Sequence, residues 1–343
     1  MKLSENRKIE SIMIVFLAGL VLAFAPAQEI DGSWSSKIIG DKIRIHFTAF
    51  HDDDYYGEWN CSEIFEKDDF DGLDYNEDDS FKLARDAGTI SFNGRFNRNK
   101  GYGEFSFVPE EKFRDRLERN DSYEITDTKM MLLCINDVGQ DFLEKLEKLG
   151  YSDVSASELI KLAIHGATIE YIEKIHDLGY KDITLSEIVK FRIHGVSTDF
   201  IEDVEKLGYK NISEETLVKL RIHGVSSDYV EKIHDLGYDN ISLSELVKFR
   251  IHGVSTDFIR DLDKLGYKNV YESSLVKLRI HGVSSDFIKD MHDLGYKDIS
   301  LEKLVKCRIH GVDKRYIKRV KSYLKGDSIS IDRIIKFKIH GIF

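Results

Sequence analysis

One period governs most of this chain. Ile-His-Gly occurs seven times, with its glycine at Gly166, Gly195, Gly224, Gly253, Gly282, Gly311 and Gly341, so the steps are 29 residues five times and then 30. A degenerate copy, CINDVGQDF, stands one step earlier, with Asn136 and Asp137 in the His-Gly places. Leu-Gly-Tyr keeps the same period at Gly150, Gly179, Gly208, Gly237, Gly266 and Gly295. Neighbouring copies alternate, so His176, His234 and His292 recur every 58 residues, the mark of a doubled unit that duplicated. A fixed period of this length restricts the fold to stacked, near-identical supersecondary units.

Residues 196–224 serve as the type copy. Ser197 is a good N-cap, because its hydroxyl can accept from a free N–H of the first turn, and Asp199 sits near the positive end of the helix dipole. Val196, before the cap, can staple onto Ile201. Phe200, Ile201, Val204 and Leu207 follow at helical spacing. Gly208 ends the helix by taking a left-handed conformation, with Tyr209 placed to fold back on Val204. A second helix follows, capped by Ser213; Thr184-x-x-Glu187, Ser155-x-x-Glu158 and Ser242-x-x-Glu245 are expected capping boxes in sister copies. Leu217, Val218 and Ile222 are assigned to its buried side, and Val225 can fold back on Leu220. Helices of roughly nine to eleven residues are unstable alone in water. The expected architecture over 131–343 is therefore an α-solenoid of about seven 29-residue αα-hairpin repeats.

The recurring histidine thus has an address at the end of each second helix. At His165, His194, His223, His252, His281 and His310, each before its glycine (Gly166, Gly195, Gly224, Gly253, Gly282, Gly311), an imidazole could donate to an orphan carbonyl. These pairs are read as structural caps. A metal or proton ladder is the alternative. Stacked helices lie ~8–10 Å apart, which brings about two imidazoles to one ion, whereas a structural zinc site takes four ligands. Collective titration of the histidines is the other form of that alternative.

Ahead of the repeats the period changes to two. Ile43, Ile45 and Phe47 alternate with polar residues, as do Phe81 and Leu83, then Ile90, Phe92 and Phe96, then Phe105 and Phe107. Glycine-bearing turns separate them, so residues 28–120 read as a small antiparallel β domain of five or more strands, sandwich or partly closed barrel. Pro109 is expected to open a short terminal helix ending near Asn120, and residues 121–130 read as a linker. The chain is thus an α+β multidomain protein. Trp34, Trp59, Tyr55 and Tyr56 form a candidate ligand surface on which a glycan could stack, although core packing is the better reading of them. In the acidic loop 68–79, Asp74, Asn76 and Asp78 have EF-hand spacing. Asp79 and Arg85 stand where such a loop needs Gly and Glu, which leaves only a looser calcium site in question.

The beginning reads as an export signal. Lys2, Arg7 and Lys8 precede an apolar run over residues 12–25, and Ala25-Pro26-Ala27 is an A-x-A site, so cleavage is expected after Ala27. The run is shorter than the ~20 residues that span a bilayer. A periplasmic or secreted protein follows, with no membrane span after cleavage of the 1–27 signal peptide. Three scattered cysteines, Cys61, Cys134 and Cys307, make no disulfide framework. The net charge of −11 argues against a nucleic-acid partner. Residues 51–79 nevertheless hold thirteen Asp/Glu and one Lys, and residues 304–343 hold eleven Lys/Arg and three Asp. That polarity could pair molecules head to tail. No H-E-x-x-H, G-x-S-x-G or Walker motif is present. Ser274-x-x-Lys277 matches S-x-x-K, but sister copies put Thr216 and Glu245 at the serine's address. No enzyme and no cofactor are expected.

Two stretches carry a resemblance. ARDAGTISFNGRF with GYGEFSFVP (84–109) is similar to a segment beyond the peptidase region of bacterial BlaR/MecR-like membrane metallopeptidase sensors. The IHGV/LGY repeats resemble those that follow that segment, and CINDVGQDF resembles the form taken by their first copy. The membrane part, the zinc motif and a penicillin-acylating serine have no counterpart here, so no peptidase or β-lactam chemistry carries over. The resemblance implies a stand-alone extracytoplasmic accessory region with a role in protein interaction. The leading expectation is an exported, non-enzymatic interaction scaffold whose protein partner is unknown. The alternatives are a sensor module binding a ligand or cell-wall fragment through the β domain, and a metal- or pH-responsive histidine array.

Overall fold

The computed structural model describes residues 30–50, 58–75, 78–119, 124–324 and 329–342. The signal segment 1–27, Tyr55, Tyr56 and Asn76 lie outside the described residues. Backbone contacts divide the chain into two units, one up to Gly139 and one from Gln140 onward.

Among the described residues six strands build the first unit: β1 Ile30–Ile39, β2 Lys42–Phe50, β3 Glu58–Glu66, β4 Asp79–Arg85, β5 Gly88–Asn97 and β6 Lys100–Pro109. Every pairing is antiparallel, in the order β3-β2-β1-β6-β5-β4. Two three-strand meanders are therefore joined edge to edge through β1 and β6. Alternation does what period two requires. Ile43, Ile45, Phe47, Phe81, Leu83, Ile90, Phe92, Phe105 and Phe107 are all buried. Just after β3, the Phe70 ring lies 5.3 Å from Phe65 of β3 and 5.5 Å from Phe81 of β4. An isolated bridge pairs Asp71 with Lys82. The two edges of the sheet are thus drawn together over an aromatic core, and the sheet is curled.

Two helices complete this unit, α1 Glu111–Glu118 and α2 Asp127–Ile135. Pro109 does not open α1: it ends β6 opposite Gly88, and Glu110 caps the helix. The segment 121–130 is not all linker. Thr126 caps α2, whose buried Met130, Met131, Leu133 and Cys134 pack it against β5 and β6. The contact boundary accordingly falls after Gly139 and not at residue 130.

Among the described residues of the second unit, fourteen helices form two layers. The first helices of the pairs are α3 Gln140–Lys148, α5 Ile169–Asp177, α7 Thr198–Lys206, α9 Ser227–His234, α11 Thr256–Lys264, α13 Ser285–Asp293 and α15 Lys314–Leu324. The second helices are α4 Ala156–Ile164, α6 Leu185–Ile193, α8 Glu214–Ile222, α10 Leu243–His252, α12 Glu272–Ile280, α14 Leu301–Ile309 and α16 Ile331–Ile339. First helices from α3 to α13 pack on first helices, and second on second, as in an α-solenoid whose stability comes from nearest neighbours. The N-caps follow the local chemistry. Ser197 accepts from the Phe200 N–H, and reciprocal capping boxes form at Ser155/Glu158 and Thr184/Glu187. At Ser242 only the forward bond forms, because Glu245 turns to Lys248 at 2.6 Å.

Candidate functional site

At each Ile-His-Gly the second helix ends in a Schellman motif. For α6, Gly195 N–H donates to the Arg192 carbonyl and Val196 N–H to the Phe191 carbonyl at 2.8 Å. The glycines Gly166, Gly195, Gly224, Gly253, Gly282, Gly311 and Gly341 have φ between +65° and +70°, a region costly for a residue with a Cβ. In the degenerate copy Asp137 adopts φ +54° in the glycine's place, as Asp tolerates better than most residues. His165, His194, His223, His281 and His310 occupy the C-cap itself, where their backbone N–H groups close the last turn. His252 is the last helical residue of α10, and Gly253 is its cap.

The imidazoles, however, do not answer the orphan carbonyls. Among the described residues that bond comes from an arginine one repeat on. Arg192 Nε donates to the His165 carbonyl at 3.2 Å, Arg250 Nε to that of His223 at 3.4 Å, and Arg279 Nε to that of Gly253 at 2.9 Å. Those three guanidinium groups and two more lie over an aromatic ring of the preceding first helix, although among the described residues Arg221 Nε is buried without a hydrogen-bond partner. Arg192 on Tyr171, Arg221 on Phe200, Arg250 on Tyr229, Arg279 on Phe258 and Arg308 on Phe287 all lie 4.8–5.0 Å from the ring centre. A Cβ on Gly224 would stand 3.1 Å from Arg250 Nη2, so the glycine also makes room for this staple. Arg85 caps α2 likewise, donating to the Cys134 and Ile135 carbonyls at 2.8 Å each and pairing with Asp137 at 3.2 Å. The arginine recurs in the sequence directly before the isoleucine (R-I-H-G). That recurrence was the signal for it.

Tyrosines make a second staple. Tyr151, Tyr180, Tyr209, Tyr238, Tyr267 and Tyr296, those of Leu-Gly-Tyr, donate their hydroxyls to carbonyls of the next pair at 2.7–2.8 Å. Their position after the glycine also completes that Schellman motif, as Tyr209 N–H to the Val204 carbonyl shows. In alternate copies His176, His234 and His292 meet the tyrosine oxygen through Nε2 at 2.8, 3.0 and 3.3 Å. The hydroxyl proton goes to the carbonyl, so Nε2 is the donor in these pairs. The 58-residue alternation therefore marks a packing variant of one joint. Among the described residues no cluster of three or more His, Cys, Asp or Glu is arranged to hold a metal.

The residue that faces outward is the isoleucine. Ile164, Ile193, Ile222, Ile251, Ile280, Ile309 and Ile339 are 52–57 % exposed. Ile222 is thus not on the buried side of α8, where Leu217 and Leu220 sit. The helical wheel explains it: at about 100° per residue, Ile222 lies about 200° from Leu220. An exposed lysine stands one turn before each isoleucine, at Lys161, Lys190, Lys219, Lys248, Lys277, Lys306 and Lys336. The second helices together carry fifteen Lys/Arg against eight Asp/Glu, while the first helices α3 to α13 carry eight against eighteen. Up to α14 charge is thus sorted by layer, with a basic second-helix layer bearing a row of apolar rungs; the last first helix, α15, breaks the pattern with five Lys/Arg and no Asp/Glu.

The β-domain candidates separate. Trp34 is 2 % exposed, edge-on to Phe81 and Phe92, with its indole N–H donating to the Glu104 and Asn93 carbonyls. A Cβ on Gly94 would stand 2.8 Å from this indole. Trp34 is therefore core, not ligand surface. Trp59 is half-buried on β3, opposite Ala49 and on the same face as Phe65. In the acidic loop, Asp79 is buried and its carboxylate accepts the Asp74 and Tyr75 N–H groups at 3.1 and 2.7 Å. Burial pushes the Cys134 and Cys307 thiols up to about 12, which keeps both protonated and unreactive.

No known family model matches this chain, and no curated protein is significantly similar to it. Among the described residues no helix is long and apolar enough to cross a membrane.

Proposed function

We propose that this chain is an exported, non-enzymatic repeat protein whose solenoid is a scaffold for binding another protein. The observation that carries the reading is the row of seven half-exposed isoleucines, each beside an exposed lysine, at one address in successive stacked helices. Large apolar side chains repeated at the surface mark interaction sites when they form a continuous pattern. A catalytic centre is a single constellation of unlike groups, whereas this surface repeats one chemistry rung by rung. The similarity of the 84–109 segment and the IHGV/LGY repeats to an extracytoplasmic accessory region supports the same reading, as does the A-x-A site before Gln28 for export.

Two measurements test it. Mass spectrometry of the protein recovered from outside the cytoplasm should give a chain beginning at Gln28; a cytoplasmic chain beginning at Met1 overturns the export part. Cross-linking of the tagged protein in its native host, followed by identification of what is captured, should return one reproducible protein partner. Recovery of only copies of itself overturns the scaffold.

A further inference from the structure

We infer that the isoleucine–lysine row of the second-helix layer is a track for an extended acidic polypeptide that carries an apolar residue at every third position. This rests on the scaffold reading and assigns the partner's chemistry. Spacing supplies the first argument. Stacked helices lie ~8–10 Å apart, so the isoleucines repeat at about that distance along the solenoid. A polyproline II chain rises ~3.1 Å per residue with three residues per turn, which returns a side chain to the same face every ~9.3 Å. One apolar side chain in three therefore meets one isoleucine per repeat. A β-strand does not fit, because its period of two sends alternate third residues to the far side.

Charge supplies the second argument. Each rung pairs its isoleucine with an exposed lysine one turn earlier, as in Lys219/Ile222 and Lys248/Ile251. The second helices also have their surplus of Lys/Arg over Asp/Glu although the whole chain is acidic, at −11. A partner complementary to this layer is acidic between its apolar residues. The first-helix layer α3 to α13 has the opposite sign and would repel it. Three of the arginines, Arg192, Arg250 and Arg279, are held by the carbonyl of the preceding joint and by an aromatic face. Arg221 and Arg308 lie over aromatic rings in the same way, and the exposed lysines add a flexible cation beside each isoleucine, although Lys219 and Lys248 also have exposed partners in Glu215 and Glu245.

The test uses the mature protein and a fluorescent peptide of six Leu-Asp-Pro triplets. It should bind, more weakly as salt is raised, and lose about tenfold or more in affinity with Ile222→Ser/Ile251→Ser and with Lys219→Glu/Lys248→Glu. The altered side chains are exposed, so circular dichroism melting of both variants should match the parent. Equal binding of a peptide of the same composition with its leucines irregularly spaced overturns the inference. So does affinity unchanged in both variants, and so does binding to phosphatidylglycerol vesicles without binding to the peptide. Native-host cross-linking with the Ile222→Ser/Ile251→Ser variant separates the two readings. A partner captured equally by parent and variant removes the track and keeps the scaffold, whereas capture of only self-copies by both removes the scaffold.

Discussion

Gly224 and His223 stand side by side at one joint, and their side chains have different consequences. Gly224 sits at φ +67°, and an added Cβ would press on Arg250. His223 contributes its backbone to the cap, and its half-exposed ring answers no carbonyl. Gly224→Val is therefore expected to cost about 2 kcal/mol or more, and His223→Asn no more than about 1 kcal/mol, read as shifts in urea midpoint. The reverse order would contradict the joint geometry. Arg250→Ala removes both a carbonyl bond and a stack on Tyr229, so about 1–2 kcal/mol should be lost. Arg250→Lys should recover part of it, since Lys338 sits over Tyr316 at 4.4 Å at the same address in the last copy. No recovery would place the energy in the guanidinium's bond alone.

At the scale of the element, one helix lacks what its sisters have. Second helices α4, α6, α8, α10, α14 and α16 begin on Ser or Thr, whose hydroxyl accepts a first-turn N–H. Helix α12 begins on Tyr271, which makes no side-chain cap and is 77 % exposed. Tyr271→Ser restores the cap at little loss of packing and should stabilise the protein by about 0.5–1 kcal/mol. A lower thermal midpoint would mean that the exposed ring contributes packing after all. The β domain makes the complementary point. Its strands were legible from period two, but the join of β1 to β6 was not, because strand order depends on which edges meet in space and not on local alternation.

Across the whole molecule the joints share a titration. Burial pushes the phenols of Tyr151, Tyr171, Tyr180, Tyr229, Tyr238 and Tyr267 up to about 12, against an ordinary value near 10. A group whose folded pKa is raised contributes stability that is complete below the unfolded value and lost as pH rises through the folded one. The solenoid should therefore be insensitive to tyrosine ionisation below pH ~10 and weaken between ~10 and ~12. Ultraviolet titration of tyrosinate alongside circular dichroism checks this: ionisation of all tyrosines near 10 with helicity intact would contradict the buried staples. Because each staple links neighbouring repeats, loss should spread along the stack.

The sequence by itself determined the repeat, the two helices in each copy, most of their caps and the need for a left-handed residue after the histidine. These are local matters, settled within one turn by Ser197, Gly195 or Gly208 and their immediate neighbours. Tertiary structure alone decided what joins one copy to the next and what is left outside. Arg192 reaches a carbonyl 27 residues back and Tyr209 one 32 residues on, distances at which spacing along the chain says nothing of contact. The isoleucine of Ile-His-Gly shows the same division. It is as apolar as Leu220, yet burial depends on what stacks against a face, and the described residues of the solenoid leave that one half-exposed.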